Sequence, residues 1–467
     1  MKRTHAVVVG GSVAGLCAAR VLADAFERVT VLDRDTYPTG ALPRAGVPQG
    51  RHVHALLARG RQELERLFPG FDGLMHERGA LEIDFGWDFA TLRGAGWMPR
   101  ERYGIRTFFA SRLLLESVVR ELLRRHANVA LVEATAAAGL VADGGTVTGV
   151  RTECGGTMVA DLVVDASGRG SHAPAWLRAL GLPAPEETVV DSFAGYSTRW
   201  YRAPAVRPTE WWWQGVWIDP TLDPADPLGA TAAVLSPIEG GRWIVTVGGL
   251  ARRYPPTDEA GFLDTLAALR SPLVAEAVRL AEPISPIYGN RAMANRFRHY
   301  ERWPARLAGF VAVGDAACAF NPVYGQGMTT AALAAGVLAT ALGRHDADDP
   351  ALPGRFYRAQ AALLHDAWAM ATGADFRFAE TVGPRPRFAK VFEHYLDALF
   401  DAATTDVALR QIFGEVVHML RPQSALLSPT AIGRVGLHAV RRLAGLAVPA
   451  TVLAPRPPAV DRSRSAA

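Results

Sequence analysis

The sequence predicts an α/β (α+β) fold in which a parallel sheet is interleaved with a separate β-sheet and followed by helices. A strand–helix–strand pattern over residues 5–33 and a strand–turn–helix pattern over 310–342 predict the parallel sheet. Residues 186–290 instead contain successive strands, which predict the separate sheet. At 467 residues, 49% of them hydrophobic, the chain is long enough for two or three domains.

The N-terminal pattern has the spacing of a dinucleotide site. The apolar run His5–Val9 precedes the turn sequence GGSVAG, a helical stretch follows, and the second apolar run, Val29–Leu32, ends at an aspartate. Small residues in such a turn let the backbone approach a pyrophosphate, and an acid after the second strand accepts hydrogen bonds from a ribose. The residues expected to contact the dinucleotide are Gly10, Ser12, Val13, Ala14, Gly15, Asp33 and Arg34.

Two later strands also end in an aspartate and a glycine-rich turn. Leu162–Val164 leads into DASGRGS, which begins at Asp165, and Phe310–Val313 leads into GDAACAFNPVYGQGM, which contains Asp315. A turn of this kind before a helix presents unpaired backbone N–H groups to an anion, although an ordinary strand–helix corner has the same pattern. All three aspartates are candidate cofactor residues, and we expect Asp33 and Asp315 to bind opposite ends of one extended cofactor.

Two arginines lie where they could meet the phosphates of that cofactor. Arg44 is one short loop beyond Asp33. Arg112 falls in the first turn of a helix predicted over Phe108–Arg125, with Ser111 as its N-cap. A cation is poorly placed at a helix N-terminus unless an anion is its partner, and a solvated arginine is the alternative interpretation.

Five motifs, in chain order, resemble the FAD-dependent monooxygenases of the para-hydroxybenzoate hydroxylase type: GGSVAG…LDRD, PRAGVPQ, SRLLL, DASGRGS and GDAACAFNPVYGQG. Within that group, VPQGRHVHALL, LVVDASGRGS and GDAACAFNPVYGQGM most closely resemble the polyether flavin epoxidases, such as the lasalocid and monensin epoxidases, which are relatives of squalene epoxidase. The resemblance covers roughly residues 5–345. It implies a Rossmann-like FAD-binding domain of the glutathione-reductase type.

The resemblance also implies roles for individual residues. Arg44 and Arg112 would hold the ADP half of FAD together with the N-terminal turn, and Asp315 would bind the ribityl or pyrophosphate region. The residues that would line the isoalloxazine are Pro322, Gly325, Gln326, Gly327 and Met328. Such enzymes reduce FAD with NAD(P)H, capture O₂ as a flavin C4a-hydroperoxide and pass one oxygen atom to the substrate. Epoxidation by this route would need no dedicated side-chain base.

A tryptophan-rich segment, EWWWQGVWID, is the candidate substrate wall. In a continuous strand over Trp211–Ile218, the side chains of Trp211, Trp213 and Trp217 would share one face. We interpret them as an aromatic wall for a large apolar substrate, with a core or an interface patch as the alternative.

The composition excludes several other function classes. A net charge of +4 argues against a nucleic-acid partner, and the three separated cysteines lack zinc spacing, so no metal site is expected. His52 and His54 are two residues apart, cannot share a helical face, and are interpreted as packing or hydrogen-bonding residues. No signal-peptide or membrane-span pattern is visible, so we expect a cytoplasmic protein with little membrane contact.

The sequence and the resemblance divide the chain into four parts. The expected parts are an FAD-binding domain at 1–79, 104–185 and 284–346, a β-sheet substrate domain at 80–103 and 186–283, a helical region at 347–448 and a disordered tail at 449–467. The sequence has no second dinucleotide motif, so NAD(P)H would dock transiently or a separate flavin reductase would supply electrons.

The predicted function is FAD-dependent epoxidation of an alkene in an apolar small molecule, a polyketide- or terpenoid-like natural product. Two alternatives stay open: hydroxylation of an aromatic ring, and a flavin-dependent reductase or dehydrogenase on the same fold. A halogenase is disfavoured because those enzymes use a lysine between flavin and substrate. Lys2 and Lys390 are the only lysines in the sequence, and neither has a position that suits this role.

Overall fold

The computed structural model describes residues 3–223, 226–291, 293–305, 307–387, 389–446 and 456–458. Its helices are α1 (Val13–Ala23), α2 (Ala58–Leu67), α3 (Phe71–Glu77), α4 (Phe85–Asp88), α5 (Arg112–Leu123), α6 (Ala173–Ala179), α7 (Glu259–Ala268), α8 (Leu273–Arg279), α9 (Gly327–Leu342), α10 (Ala351–Asp375), α11 (Ala389–Ala403), α12 (Val407–Val417) and α13 (Pro429–Leu443).

The strands alternate with these helices in the first half of the chain and dominate its middle. They are β1 (His5–Val9), β2 (Arg28–Leu32), β3 (Leu81–Asp84), β4 (Phe89–Arg93), β5 (Gly96–Trp97), β6 (Arg106–Phe109), β7 (Val129–Val132), β8 (Ala137–Asp143), β9 (Thr146–Thr152), β10 (Thr157–Val159), β11 (Leu162–Asp165), β12 (Glu187–Val190), β13 (Gly195–Arg202), β14 (Gly215–Ile218), β15 (Thr231–Ile238), β16 (Arg242–Gly249), β17 (Glu282–Pro283), β18 (Tyr288–Asn290), β19 (Asn295–Arg298), β20 (Phe310–Ala312) and β21 (Cys318–Ala319).

A five-stranded parallel sheet forms the first layer, in the order β20-β11-β1-β2-β7. Every residue of β1 is buried, as are all residues of β11 and β20. Continuous apolar strands of this kind suit a sheet that helices cover on both faces. Apolar side chains of α1, α5 and α9 join those strands in the largest core cluster.

An eight-stranded sheet forms the second layer, in the order β17-β13-β16-β15-β14-β4-β5, with β18 paired to β13. Side chains of one face, including Leu235 and Val245, pack with α7 and α8. Trp200 and Ile244 point to the other face and contact Val53 and Leu113, which belong to the segments around the parallel sheet. This second face is therefore turned toward the first layer.

The predicted α/β fold class is confirmed, and four local predictions need correction. The sequence around the DGG and CGG turns predicts Val129–Val132 as a short antiparallel strand, but β7 extends the parallel sheet alongside β2. The helix expected from Phe108 begins at Arg112, since β6, ending in two phenylalanines, pairs with β3 first. The Gly- and Pro-rich stretch 41–60 is expected to become helical after about His52, but its α-helix begins at Ala58. The fourth correction concerns the tryptophans and is described with the site.

The C-terminal region forms the four helices α10 to α13. Among the described residues, no helix is long and apolar enough to cross a bilayer. The tail expected to be disordered, 449–467, lies outside the described residues except for 456–458. The assignment of residue ranges to domains stays a prediction.

Candidate functional site

The glycine-rich turns after three strands meet at one edge of the parallel sheet. Strands β20, β11 and β1 are neighbours, and the carboxyl ends of parallel strands lie at the same edge. Gly10 has a φ of +103°, and a Cβ there would lie 2.5 Å from the carbonyl oxygen of Ala166. Gly314 has a φ of +58°, and a Cβ there would lie 2.6 Å from the Cβ of Ala14. Only glycine permits the turns to approach so closely.

The turn before α1 presents unpaired backbone donors. Ser12 is the N-cap of α1 but makes no side-chain capping bond, and the first turn contains no acidic residue. The Ser12 hydroxyl instead donates to Glu116 Oε2 at 2.7 Å. Although Asp33 and Glu116 lie beside the turn, no carboxylate caps α1 itself, and an uncapped helix N-terminus favours a bound phosphate.

Arg44 lies at this turn, surrounded by carboxylates. Its Nη1 is 2.9 Å from both Asp33 Oδ2 and Asp35 Oδ2, and its Nε is 2.9 Å from Glu116 Oε1. Burial lowers the pKa of Arg44, but Glu116 and Asp33 raise it by more. Asp33 also accepts the Gly11 N–H at 2.9 Å. The predicted contact of Arg44 with cofactor phosphates stays a prediction, since its charge is already neutralised here.

Arg112 is the cation with donors still free. Its Nη2 donates to Ser12 Oγ at 2.9 Å, while its buried Nε has no partner among the described residues. Its Nη1 is 3.4 Å from His54 Nε2. Burial and the neighbouring Arg112 lower the pKa of His54 to about 3, so this imidazole is neutral and accepts the bond. Arg112 thus suits an anion at the turn.

Asp315 lies in the interior without a hydrogen-bond donor among the described residues. Burial raises the pKa of its carboxyl group, and Arg169, Arg112 and Arg298 act against that shift. A Cβ on Gly327 would lie 3.8 Å from Asp315 Oδ1, which places the carboxylate beside the start of α9. The lone pairs of Asp315 are therefore free to accept hydroxyl groups of a ligand.

Residues 321–327, hereafter the 321–327 loop, lead into the N-terminus of α9. Pro322–Tyr324 forms a short 3₁₀ turn, and Gly325, with a φ of +67°, approaches Ala55. Gln326 is the N-cap but makes no capping bond through its side chain, and its buried Oε1 has no partner among the described residues. This second helix N-terminus also presents free N–H groups.

A group of partly accessible side chains lies between these parts, and we call this region the cleft. Its members are surrounded by protein and keep some accessible surface; they are His54, Arg112, Tyr196, Asp315 and Tyr324. Arg112 and Asp315 are close enough to shift each other's pKa, as are Arg169 and Tyr196. The cleft therefore runs from the N-terminal turn past Asp315 to Tyr196 on the second sheet.

Comparisons with known proteins agree with a flavin site. Residues 6–175 match the FAD dependent oxidoreductase family. The whole chain is 33% identical over 464 residues to Protein Rv3254 of Mycobacterium tuberculosis (strain ATCC 25618 / H37Rv), with 94% of each chain covered. The chain belongs to the FAD-dependent oxidoreductase family.

Solved flavoproteins share the fold of this flavoprotein at low sequence identity. The flavin-dependent brominase Bmp2 aligns with a TM-score of 0.64 at 15% identity, covering 94% of this chain and 100% of that one. A flavoprotein/dehydrogenase from Cytophaga hutchinsonii aligns at 0.65 and 16%, covering 95% and 100%. The p-nitrophenol 4-monooxygenase PnpA from Pseudomonas putida DLL-E4 aligns at 0.62 and 20%, covering 91% and 100%.

The cleft of this flavoprotein has the donors and acceptors that FAD requires. The free N–H groups before α1 and the unpaired Nε of Arg112 suit the pyrophosphate, and the open carboxylate of Asp315 suits a ribityl hydroxyl. The free N-terminus of α9 suits the electron-rich edge of the isoalloxazine. FAD therefore fits this cleft, and these residues would hold it.

Four other predicted cofactor residues contact the protein itself or solvent rather than the cleft. Asp165 is fully buried and accepts hydrogen bonds from Ser167 Oγ and Ser171 Oγ, so its side chain organises its own turn. Val13 and Met328 are buried in the main core, whereas Arg34 is exposed. A direct cofactor contact for these four residues stays a prediction that the geometry does not itself support.

The tryptophans do not share one face, so that prediction is wrong. Strand β14 begins only at Gly215, and the chain turns before it, with Trp211 N bonded to Pro208 O. Trp211 stacks on the fully buried Trp213, with ring centroids 4.9 Å apart, in the core beside α7 and α8. Trp217 points to the opposite face and packs near Phe89. Only Trp217 is left as a candidate for the substrate wall.

Sequence reasoning also missed functional candidates around the 321–327 loop. Arg169 donates to the carbonyl of Phe320 at 2.7 Å and to that of Ala294, and it lies close to Asp315. Arg169 lies within the motif DASGRGS, and this position could have identified it as a candidate. Tyr196 and Asp375, which reach the loop from β13 and α10, lie in segments without any such motif.

Proposed function

We propose that this flavoprotein is a monooxygenase that transfers one oxygen atom from O₂ to an apolar substrate, and that the reaction is epoxidation of an alkene. When bound, FAD would supply the electrons and the oxygen activation. The protein would supply orientation, a dry chamber and hydrogen-bond donors for the developing charge on the ring. The electron donor in this proposal is NAD(P)H, used directly or through a separate flavin reductase.

The observation that carries the proposal is the chemistry of the sheet face turned toward the cleft. Apolar and aromatic side chains form one cluster there, namely Ile83, Phe89, Phe109 and Val234 with Val53, Phe85 and Trp217 packed against it. In this proposal the apolar face excludes water and contacts a hydrocarbon-rich substrate.

The polar groups on the same face are paired with each other. His52 Nδ1 is 2.8 Å from Thr198 Oγ1, which is 2.7 Å from Thr246 Oγ1. Burial and the neighbouring Arg51 lower the pKa of His52 to about 4, so its imidazole is neutral at physiological pH. Oxygen transfer to an alkene needs no base, whereas proton abstraction would need one with a matched pKa. These groups therefore favour epoxidation.

The substrate class we propose is an alkene in a polyketide- or terpenoid-like natural product. Its support is the resemblance of the glycine-rich motifs to the polyether epoxidases, together with the apolar face. Halogenation is less suited to this chain than to the brominase that shares its fold. Among the described residues the one lysine is Lys390, which is exposed on α11.

The test is product analysis under oxygen-18 gas. The protein loaded with FAD is supplied with NAD(P)H, alone or with a flavin reductase, and with matched alkene and phenol substrates. We expect one labelled oxygen atom in an epoxide and the other in water. A labelled catechol would instead indicate aromatic hydroxylation, and substrate oxidation without oxygen consumption would indicate a dehydrogenase.

A further inference from the structure

A buried carboxylate joins the C-terminal helices to the 321–327 loop. Asp375 ends α10, is 0% exposed, and has no ion pair with an arginine or lysine in the described part of the chain. Its oxygens accept hydrogen bonds from neutral donors instead, at 2.6 Å from Asn295 Nδ2 and 3.1 Å from Asn321 Nδ2. A buried charge without a cation is expensive, which makes a purely structural role costly.

The donors that meet Asp375 fix the first residue of the loop. Asn321 gives its side-chain amide to Asp375 and its backbone N–H to Asn295 Oδ1, at 2.7 Å. Because the amide group is committed to the carboxylate, the Asn321 Oδ1 is left to accept, and the Tyr196 hydroxyl donates to it at 3.3 Å. Asp375 therefore sets the orientation of Asn321, and Asn321 holds a cleft-lining hydroxyl.

We propose that Asp375 is a positioning residue for the flavin: through Asn321 it holds the 321–327 loop in the geometry that receives the isoalloxazine. The C-terminal helices are then part of the cofactor site rather than an appendage to it. The inference requires FAD in the cleft but no particular reaction. It can therefore be tested independently of the proposed oxygen transfer.

The charge state of Asp375 provides a readout that a simple packing residue lacks. Burial raises the pKa of Asp375 to about 7, against hydrogen bonds from Ser192, Asn295 and Asn321, and Asp191 raises it further. Tyr196 and Tyr324 also face the carboxyl group, and burial holds their own pKa values well above 10, so both stay neutral. Arg377 and Asp219 also act on Tyr324, Arg377 lowering its pKa and Asp219 raising it.

Protonation of Asp375 would replace an acceptor with a donor. Protonation turns one carboxylate oxygen into an O–H donor and removes the negative charge. The hydrogen bonds from the Asn295 and Asn321 amides then weaken, and the 321–327 loop is held less firmly. We therefore expect the dissociation constant of FAD to fall as the pH rises through about 7. The variant Asp375→Asn, which cannot ionise, should lack this pH dependence.

The experiment titrates FAD by its fluorescence between about pH 6 and about pH 8.5, without substrate or reductant. Asp375→Ala and Asn321→Ser should each raise the dissociation constant of FAD about tenfold. The double variant should lose no more affinity than the weaker-binding single variant, because both changes break the same Asn321–Asp375 hydrogen bond. Asp366→Asn, the same kind of change at a partly exposed position of α10 away from the loop, should bind FAD as the wild type does.

Circular dichroism separates a positioning role from a structural one. Folded Asp375→Asn protein with wild-type affinity and a wild-type pH profile would overturn the proposal. A wild-type profile that is flat across the range would overturn it as well, even if Asp375→Ala failed to fold. Strictly additive losses in the double variant would show that Asp375 and Asn321 act separately, which also contradicts it.

Discussion

At the scale of single residues, the N-terminal turn is held by opposed charges rather than by one dominant contact. Arg44 alone meets Asp33, Asp35 and Glu116 within 2.9 Å. Removing one partner of a buried ion cluster leaves the others uncompensated, which costs more than the cluster contributes when intact. The turn is consequently sensitive to Arg44 even before a cofactor binds.

Arg44→Met should lower the free energy of unfolding of the apoprotein by about 3–5 kcal/mol, since Asp33 and Asp35 lose their cation. Glu116 keeps the more distant Arg112 and Arg120 as partners. Urea denaturation followed by circular dichroism measures the change. The matched control is Arg178→Met, at an exposed arginine of α6, which should change stability by less than about 0.5 kcal/mol. Equal losses in the two variants would contradict the buried cluster.

Asp315→Asn should weaken FAD binding without unfolding the chain. The amide keeps the shape of the carboxyl group but loses a charge-assisted acceptor, a change of about 1.5–3 kcal/mol in binding free energy. Burial raises the pKa of Asp315, so the charge is costly in the folded apoprotein and its removal should not destabilise it. FAD content after purification and fluorescence titration measure the effect. Unchanged affinity would remove Asp315 from the site.

At the scale of elements, the two faces of the second sheet carry different tasks. Trp213→Ala should lower stability by about 3–5 kcal/mol, because this fully buried ring fills the core beside α7 and α8. Trp217→Ala removes a partly exposed ring from the opposite face and should cost less stability. It should instead weaken binding of alkene substrates, read from the flavin spectrum. A reversed pattern would contradict the assignment of faces.

The end of α10 should make stability depend on pH. The pKa of Asp375 is about 7 in the folded protein against an ordinary value of 3.8, so between these values the folded chain keeps a proton that the unfolded chain releases. The free energy of unfolding should therefore decline from about pH 4 to about pH 7, in total by a few kcal/mol. Urea denaturation of wild type and Asp375→Asn isolates this decline, and parallel profiles would contradict it.

The parts of the site that sequence reasoning found are those encoded by local patterns. Gly10 was predictable because a tight turn demands glycine, and Gly15 because a side chain there would collide with the Gly10 carbonyl. Ser111 was predictable because a helix N-terminus demands a cap, which it provides to Leu114. Asp375 and Tyr196 carry no such local signal, since only the packing of α10 and β13 brings them to the loop. The Trp211 error has the same origin, because alternation holds only while the strand is continuous.

At the scale of the whole molecule, the cleft joins segments that are far apart in the chain. The N-terminal turn, Asp315 and the 321–327 loop belong to the layer around the parallel sheet, Tyr196 to the second sheet, and Asp375 to the C-terminal helices. A ligand that contacts the first two parts, and is linked to Asp375 through Asn321, stabilises all three together, by about 2.7 kcal/mol at about a hundredfold excess over its dissociation constant.

Hydrogen exchange with and without FAD tests this coupling. FAD should slow amide exchange at residues 10–15 and 314–327, the two segments that would contact it. Exchange should also slow near the end of α10, because Asp375 holds the 321–327 loop. The outer helices α7 and α8, which pack on the far face of the second sheet, should change least and serve as the internal control. Protection confined to residues 10–15 would mean that residues 314–327 do not contact the flavin. Uniform protection, including α7 and α8, would indicate global stabilisation without the specific coupling through Asp375.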